Sequence, residues 1–237
     1  MNGTYYRTQT PKTFASWAKD TPDDFVFTLK GPRYATNRRV LAEAGDSIAR
    51  FVESGIVELG RKLGPLLWQF APTKKFDEED FGAFLDLLPE KCNGHELRHA
   101  VEVRHTSFCT KCFIALARKK SIAIVYADHA SYPAIADVTS DFVYARLQTG
   151  EGSIPTAYKP AALDKWAASA RQWTAGGVPD ELPVIDPDRN VQSVPHDVFV
   201  FFIHERKVRA PQAAMALAER IQNLKQAATR REKTAHT

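Results

Sequence analysis

The sequence predicts an α/β protein in which about six parallel strands are covered on the outside by helices. Three observations carry that reading. Short apolar runs of strand length recur at 25–30, 66–70, 100–105, 122–128, 142–147 and 198–204. Helical patterns separate most of them, and strands joined through helices pair in parallel. Each run also carries a polar or charged residue toward its C-terminal end, the end at which α/β proteins build their sites.

The elements follow in order. Thr10 before Pro11 reads as an N-cap with proline in the first turn, opening a helix to about residue 19. The first strand, 25–30, precedes a helical stretch over 39–61. Gly64 and Pro65 break that stretch before the strand at 66–70. Helical spacing covers 77–88, the third strand is 100–105, and a helix is expected over 108–119. The strands at 122–128 and 142–147 have only a short connection. A helix at 160–174 leads into an irregular, proline-rich excursion or lid over 175–197. The last strand, 198–204, is followed by a helix opened at Pro211 and reaching about residue 226. Residues 1–226 are read as one domain and 227–237 as a polar tail, because no Gly-, Ser- or Pro-rich linker demands a boundary.

Bulk properties bound the function. The chain has 237 residues, 44% hydrophobic and 25% charged, with a formal net charge of +4. That mild positive balance favours anionic ligands slightly and falls well short of a dedicated nucleic-acid binder. No apolar run approaches the roughly 20 residues of a membrane span. No signal-peptide pattern opens the chain, and three cysteines make no disulfide framework, so a cytoplasmic setting is expected.

Side-chain parity locates a candidate site. In the run Ala-Val-Glu-Val-Arg-His at 100–105, Val101 and Val103 take one face while Ala100, Glu102 and Arg104 take the other. Helix-covered strands are apolar outside, so the charged face looks inward. Phe25, Phe27 and Leu29 face out and Lys30 in; Gln69 opposes Trp68 and Phe70; Arg146 shares a face with Tyr144. By the same count Asp128 falls with Tyr126 and Ile124, and His204 with Phe202. If the sheet curls, Lys30, Gln69, Glu102, Arg104, Asp128, Arg146 and His204 converge. Three cations against two carboxylates favour a phosphate or carboxylate ligand. A purely structural ion-pair network would satisfy the same pattern, since buried charges must be paired.

Other signals are weaker. Cys109 and Cys112 form a CxxC at a helix start, where thiol pKa values fall. Cys92 and His95 could join them at zinc, but the strand at 100–105 lies between the pairs and sets them at opposite ends of the sheet. A divalent-metal site from His105, Asp128, His129, Glu102 and His204 lacks ligand spacing and would be opposed by Lys30, Arg104 and Arg146. No metal is therefore expected, and no cofactor is specified. Arg33, Arg38 and Arg39 beside Tyr34 form a basic loop that could hold a phosphate or a nucleic-acid backbone, and a solvated loop explains them equally well.

Several of these residues together resemble the YecE-like family, domain of unknown function 72. They are the Asn-Gly-Thr-Tyr-Tyr-Arg run at 2–7, Lys30 with Arg33, Leu-Gly-Pro-Leu-Leu-Trp-Gln at 63–69, the 100–105 run, Asp128, Tyr144-Ala-Arg146 and Ala210-Pro211. The resemblance implies a TIM-barrel-like fold and a site including Asn2, Thr4, Arg7, Lys30, Gln69, Glu102, Arg104, His105, Asp128 and Arg146, and it implies no reaction. The chain departs from the family pattern at Thr36-Asn37, at Gln148-Thr149-Gly150 and at Ile203-His204-Glu205. Against the family pattern the first β-α unit and second strand are expected to be missing, leaving an incomplete barrel with two exposed sheet edges prone to self-association.

The function expected from the sequence is an enzyme acting on a small anionic or phosphorylated substrate. Glu102 serves as general acid or base, assisted by His105 and Asp128. Asn2, Thr4, Arg7, Lys30, Arg33, Gln69, Arg104 and Arg146 bind the substrate. The alternative is a non-catalytic module for nucleic acid or a phosphometabolite. The sequence does not specify an oligomeric state.

Overall fold

The computed structural model describes the backbone of residues 1–187, 194–203 and 208–235. Its strands in chain order are β1 (Phe27–Lys30), β2 (Leu63–Gln69), β3 (Lys91–Cys92), β4 (His95–Glu96), β5 (His99–Glu102), β6 (Ala123–Ile124), β7 (Tyr126–Asp128), β8 (Phe142–Leu147) and β9 (Asp197–Phe202). Four of these form a sheet in the order β1-β2-β5-β6, and three form a second in the order β7-β8-β9, with every pairing in the two parallel. Between β6 and β7 the Val125 N–H donates to Val101 O at 2.9 Å, so the two behave as one strand with a local break. The strands therefore follow one another in chain order, as helix-linked parallel strands do. Among the described residues no ladder joins β9 to β1, and no closed barrel forms. Met1 lies along β1: its amino group donates to Thr28 O, and Lys30 N–H donates to Met1 O at 3.3 Å, the bonding of a single parallel bridge.

The helices are α1 (Gly3–Tyr6), α2 (Pro11–Lys19), α3 (Arg33–Thr36), α4 (Gly45–Val52), α5 (Glu78–Asp86), α6 (Lys111–Lys119), α7 (Pro160–Thr174) and α8 (Ala210–Ala235). Thr10 caps α2 by accepting from Thr13 N, and Pro11 stands in its first turn, as the sequence predicts. Asp77 and Thr110 cap α5 and α6 in the same way. The backbone of α8 continues through most of the residues read as a polar tail.

One long helix expected over 39–61 is instead three pieces. Asp80 Oδ1 accepts from Leu41 N–H and Ala42 N–H, at 2.6 and 3.0 Å, and holds a single 3₁₀ turn there. After α4 ends at Val52, Gly55 opens the 3₁₀ segment Ile56–Lys62 at φ +97°, where a Cβ would stand 2.6 Å from Pro11 Cα, so the chain must turn at a residue without one. The sequence reading also missed the β3–β4 hairpin. Asn93 and Gly94 join its strands with φ of 46° and 81°, the left-handed pair a two-residue hairpin loop requires.

The core has two faces. Outside the sheet, Trp68 packs edge-on to Phe51 and Phe84, and Phe70, Phe76, Phe81, Phe108 and Phe113 form an aromatic layer under α5 and α6. Leu147, Leu163, Ala167, Ala213 and Leu217 seat α7 and α8 against β8 and β9. Inside, Leu67, Ala100, Val125, Phe142 and Tyr144 pack with Phe199 and Phe201. In the described part of the proline-rich connection, Asp137 accepts from Ile185 N–H at 2.7 Å and Asp186 N–H at 2.9 Å, and Arg118 bridges to Asp186, which pins residues 185–186.

Gly31 follows β1 directly over the Trp68 indole. A Cβ at this position would fall 2.5 Å from Trp68 Cε3, and the ring is fully buried, so neither side can yield cheaply. Gly31→Ala is expected to cost about 1–3 kcal/mol of stability, the usual range for overpacking. Urea unfolding measures it, and a variant as stable as wild type would refute the close approach.

Candidate functional site

The inner face becomes polar at the C-terminal ends of the strands. Gln69 ends β2 and stands opposite Glu102, which ends β5. The parity that turns Trp68, Phe70, Val101 and Val103 into the outer core turns Gln69, Glu102 and Arg104 inward. Arg146, on β8, reaches the same point. Glu102 is fully buried, and both its oxygens meet guanidinium groups. Arg104 donates to Oε1 through Nε at 2.9 Å and Nη2 at 2.8 Å. Arg146 Nη1 donates to Oε2 and also to Gln69 Oε1, the latter at 3.2 Å.

Aromatic groups frame this centre. The Arg104 guanidinium lies 4.5 Å over the Tyr132 ring, and His129 stacks on Tyr132 at 3.8 Å between centroids, with the ring planes nearly parallel. Lys30 Nζ lies 3.8 Å over the Tyr5 ring, and Thr4 Oγ1 donates to Lys30 O at 2.7 Å. One layer deeper, Thr28 and Tyr144 share a hydrogen bond at 3.2 Å, joining the inner faces of β1 and β8. Burial pushes the Tyr144 phenol up to about 12, only partly offset by that bond, so it stays a neutral hydroxyl. Lys30, Arg104 and Arg146 share the inner face with the Glu102 carboxylate.

Other sequence-predicted residues lie elsewhere. Asp128 is not on the inner face: its neighbours in alternation are buried outside, Tyr126 against Trp166 and Trp173 of α7. Val125 is the residue that points in, so the expected parity of this strand is reversed, and the Asp128 carboxylate accepts from Thr149 Oγ1 at 2.5 Å. The same correction applies to Phe202, which packs outside against Tyr158; His204 and Glu205 lie outside the described residues. His105 caps the turn after β5, its Nδ1 accepting from Ser107 N–H at 3.1 Å. Its hydrogen bonds are with Ser107 rather than with Glu102 or Arg104. Thr4 is buried at the Lys30 backbone, whereas Asn2, Arg7, Arg33 and Arg39 are exposed. Arg38 turns to Ser47 Oγ at 2.9 Å, so the basic loop does not present its three arginines together.

Tyr132, Tyr5 and Tyr144 are not among the site residues read from sequence, and His129 enters that reading only as a candidate metal ligand. Tyr144 was within reach, since it shares parity with Arg146. Tyr132 was not, because it sits in an irregular connection with no period to read.

The thiols offer no reactive pair. Burial pushes Cys109 up, while a hydrogen bond to Glu78, burial and the Glu78 charge push Cys112 up, against the helix-start effect that a nucleophilic thiolate needs. Among the described residues no three His, Cys, Asp or Glu side chains gather as metal ligands. A groove of about 1310 Å³ opens at the other end of the strands, between Arg98, Lys120, Ser140 and His196. Its charges are mixed in sign, and Arg98 there is already paired with Asp197 at 2.6 Å. The chemistry of the strand C-terminal ends outweighs volume in choosing between the two.

A family model described as "Protein of unknown function DUF72" matches residues 1–236. A DUF72 family protein from Enterococcus faecalis superposes with a TM-score of 0.69 at 17% identity, covering 94% of this chain and 83% of that one. A DUF72 family protein from Thermotoga maritima gives 0.62 at 22% identity, over 94% and 82%. At these identities the likeness is one of fold. No curated protein matches the chain. No described helix is long and apolar enough to cross a membrane.

Proposed function

The chain belongs to the DUF72 family, and we propose that it is a YecE-like enzyme on a TIM-barrel-like scaffold, acting on a small anionic or phosphorylated substrate. The observation that carries this reading is the pair of guanidiniums set around a fully buried carboxylate at the strand ends. Two guanidiniums, Arg104 and Arg146, share the one Glu102 carboxylate, and an oxyanion would complete the charge balance. Both Glu102 oxygens already accept guanidinium protons, so its role in this reading is to orient the arginines rather than to carry protons. His105 assists as a neutral hydrogen-bond donor: Nδ1 accepts from Ser107 N–H, so the ring hydrogen stands on Nε2, from which it can be offered to a substrate oxygen as charge develops there.

Two measurements test the two halves. Inorganic phosphate should raise the melting temperature of wild type, and Arg104→Met should weaken phosphate binding at least tenfold; a flat wild-type response overturns the anion site. Turnover of a sugar-phosphate panel, followed by phosphorus NMR, should fall by about 10²–10³ in His105→Asn with phosphate affinity unchanged. Phosphate binding without turnover would instead mark a binding protein.

A further inference from the structure

The stack of His129, Tyr132 and Arg104 does work that the ion pairs alone cannot. A guanidinium has five N–H donors in one plane. Arg104 spends its Nε/Nη2 edge on one oxygen of Glu102. That contact fixes one edge and leaves the plane free to swing about it. Tyr132 removes that freedom by covering one face of the guanidinium at 4.5 Å, and His129 backs the tyrosine from the connection that follows β7. The backing ring is itself anchored, because His129 Nδ1 accepts from Ser131 N–H at 3.0 Å.

We propose that Tyr132, backed by His129, is a positioning residue of the anion site: it holds Arg104 so that the Nη1/Nη2 edge meets an oxyanion as a two-pronged fork. This rests on the anion reading above and narrows it. With one face stacked and one edge bonded, the in-plane fork is the geometry that suits phosphate or carboxylate. A ligand recognised chiefly by stacking a flat ring on Arg104 fits less well. The 129–132 connection also becomes part of the site, although no side chain in it reaches the Glu102 oxygens.

A double-mutant cycle tests the coupling. Tyr132→Leu should weaken inorganic phosphate binding about tenfold by calorimetry, and Tyr132→Phe, which keeps the ring face, should stay within about twofold of wild type. In an Arg104→Met background, Tyr132→Leu should change the affinity by less than about twofold, since the group it positions is gone. An equal loss in both backgrounds, or no loss in wild type, overturns the proposal.

A second readout does not need an anion. The Arg104 Nε–H proton should be sharp and ring-shifted in wild-type NMR spectra and should broaden or move in Tyr132→Leu. An unchanged resonance overturns the positioning role even if phosphate binds. If wild type binds no phosphate while the resonance shifts as expected, the anion reading fails and the proposed fork with it, and only a structural clamp is left.

Discussion

Replacing Glu102 with leucine is expected to lower the unfolding free energy by about 3–5 kcal/mol, the range for breaking a buried pair from one side. The carboxylate is fully buried, and the side chains of Arg104 and Arg146 are only 15% and 9% exposed. Its removal leaves two guanidiniums facing each other across an apolar space with little water to take over. Arg104 lies nearer the rim and can turn outward, whereas Arg146 would retain only Gln69 as acceptor. Glu102→Leu combined with Arg146→Met should therefore be more stable than Glu102→Leu alone. Glu102→Gln separates structure from ligand binding: it keeps the shape, loses the charge, and releases guanidinium donors. Its stability should fall while phosphate affinity holds or rises. A Glu102→Leu loss below about 1 kcal/mol by urea unfolding would mean that water already solvates the pair. A large fall in phosphate affinity in Glu102→Gln would mean that the Glu102 charge, and not its shape alone, is needed to set the arginines.

The inner and outer faces of β1, β2, β5 and β8 were legible because those strands alternate cleanly. Trp68, Phe70, Val101 and Val103 are outside; Gln69, Glu102 and Arg146 are inside. The reading failed at the strand formed by β6 and β7, where residues 122–127 are apolar on both faces. With Ile124 and Tyr126 alternating against Ala123, Val125 and Ala127, hydropathy cannot choose a parity. The terminal Asp128 then drew the inner face to itself. Bulk decides it in the folded chain: the large Tyr126 ring needs the room beside Trp166 and Trp173, and Val125 fits inside. The pieces of the 39–61 segment failed for another reason. Asp80 breaks that helix from 38 residues away, an interaction that no local window contains. The Asn-Gly of the β3–β4 hairpin, by contrast, was a local signal present in the sequence and passed over. The Tyr132 stack depends on an irregular connection folding back over the site, which periodicity does not encode.

Acid should destabilise the protein through His99, at the foot of β5. Its imidazole is buried between two fixed partners: Nδ1 accepts from Trp68 Nε1–H at 3.0 Å, which leaves Nε2–H to donate to Pro89 O at 2.8 Å. A protonated ring would lose the Trp68 bond, since Nδ1 would then carry a hydrogen facing another donor. Burial accordingly lowers the His99 pKa to about 4, with the Pro89 carbonyl pulling the other way. In the unfolded chain the same group titrates near 6.5. Between those values the unfolded state binds a proton that the folded state refuses, so stability rises with pH through that window. Going down, the loss begins near pH 6.5 and is complete below about pH 4, where it amounts to about 3 kcal/mol. Other titrating groups also contribute to acid unfolding, so the diagnostic quantity is a difference. Wild type and His99→Gln are unfolded in urea at several pH values from 7 to 4. The glutamine variant should be less stable at pH 7, having lost the aromatic fit beside Trp68, and should show a shallower decline toward pH 4. Parallel declines in the two proteins would show that His99 takes up its proton equally well in both states, and the buried tautomer proposed here would have to be abandoned.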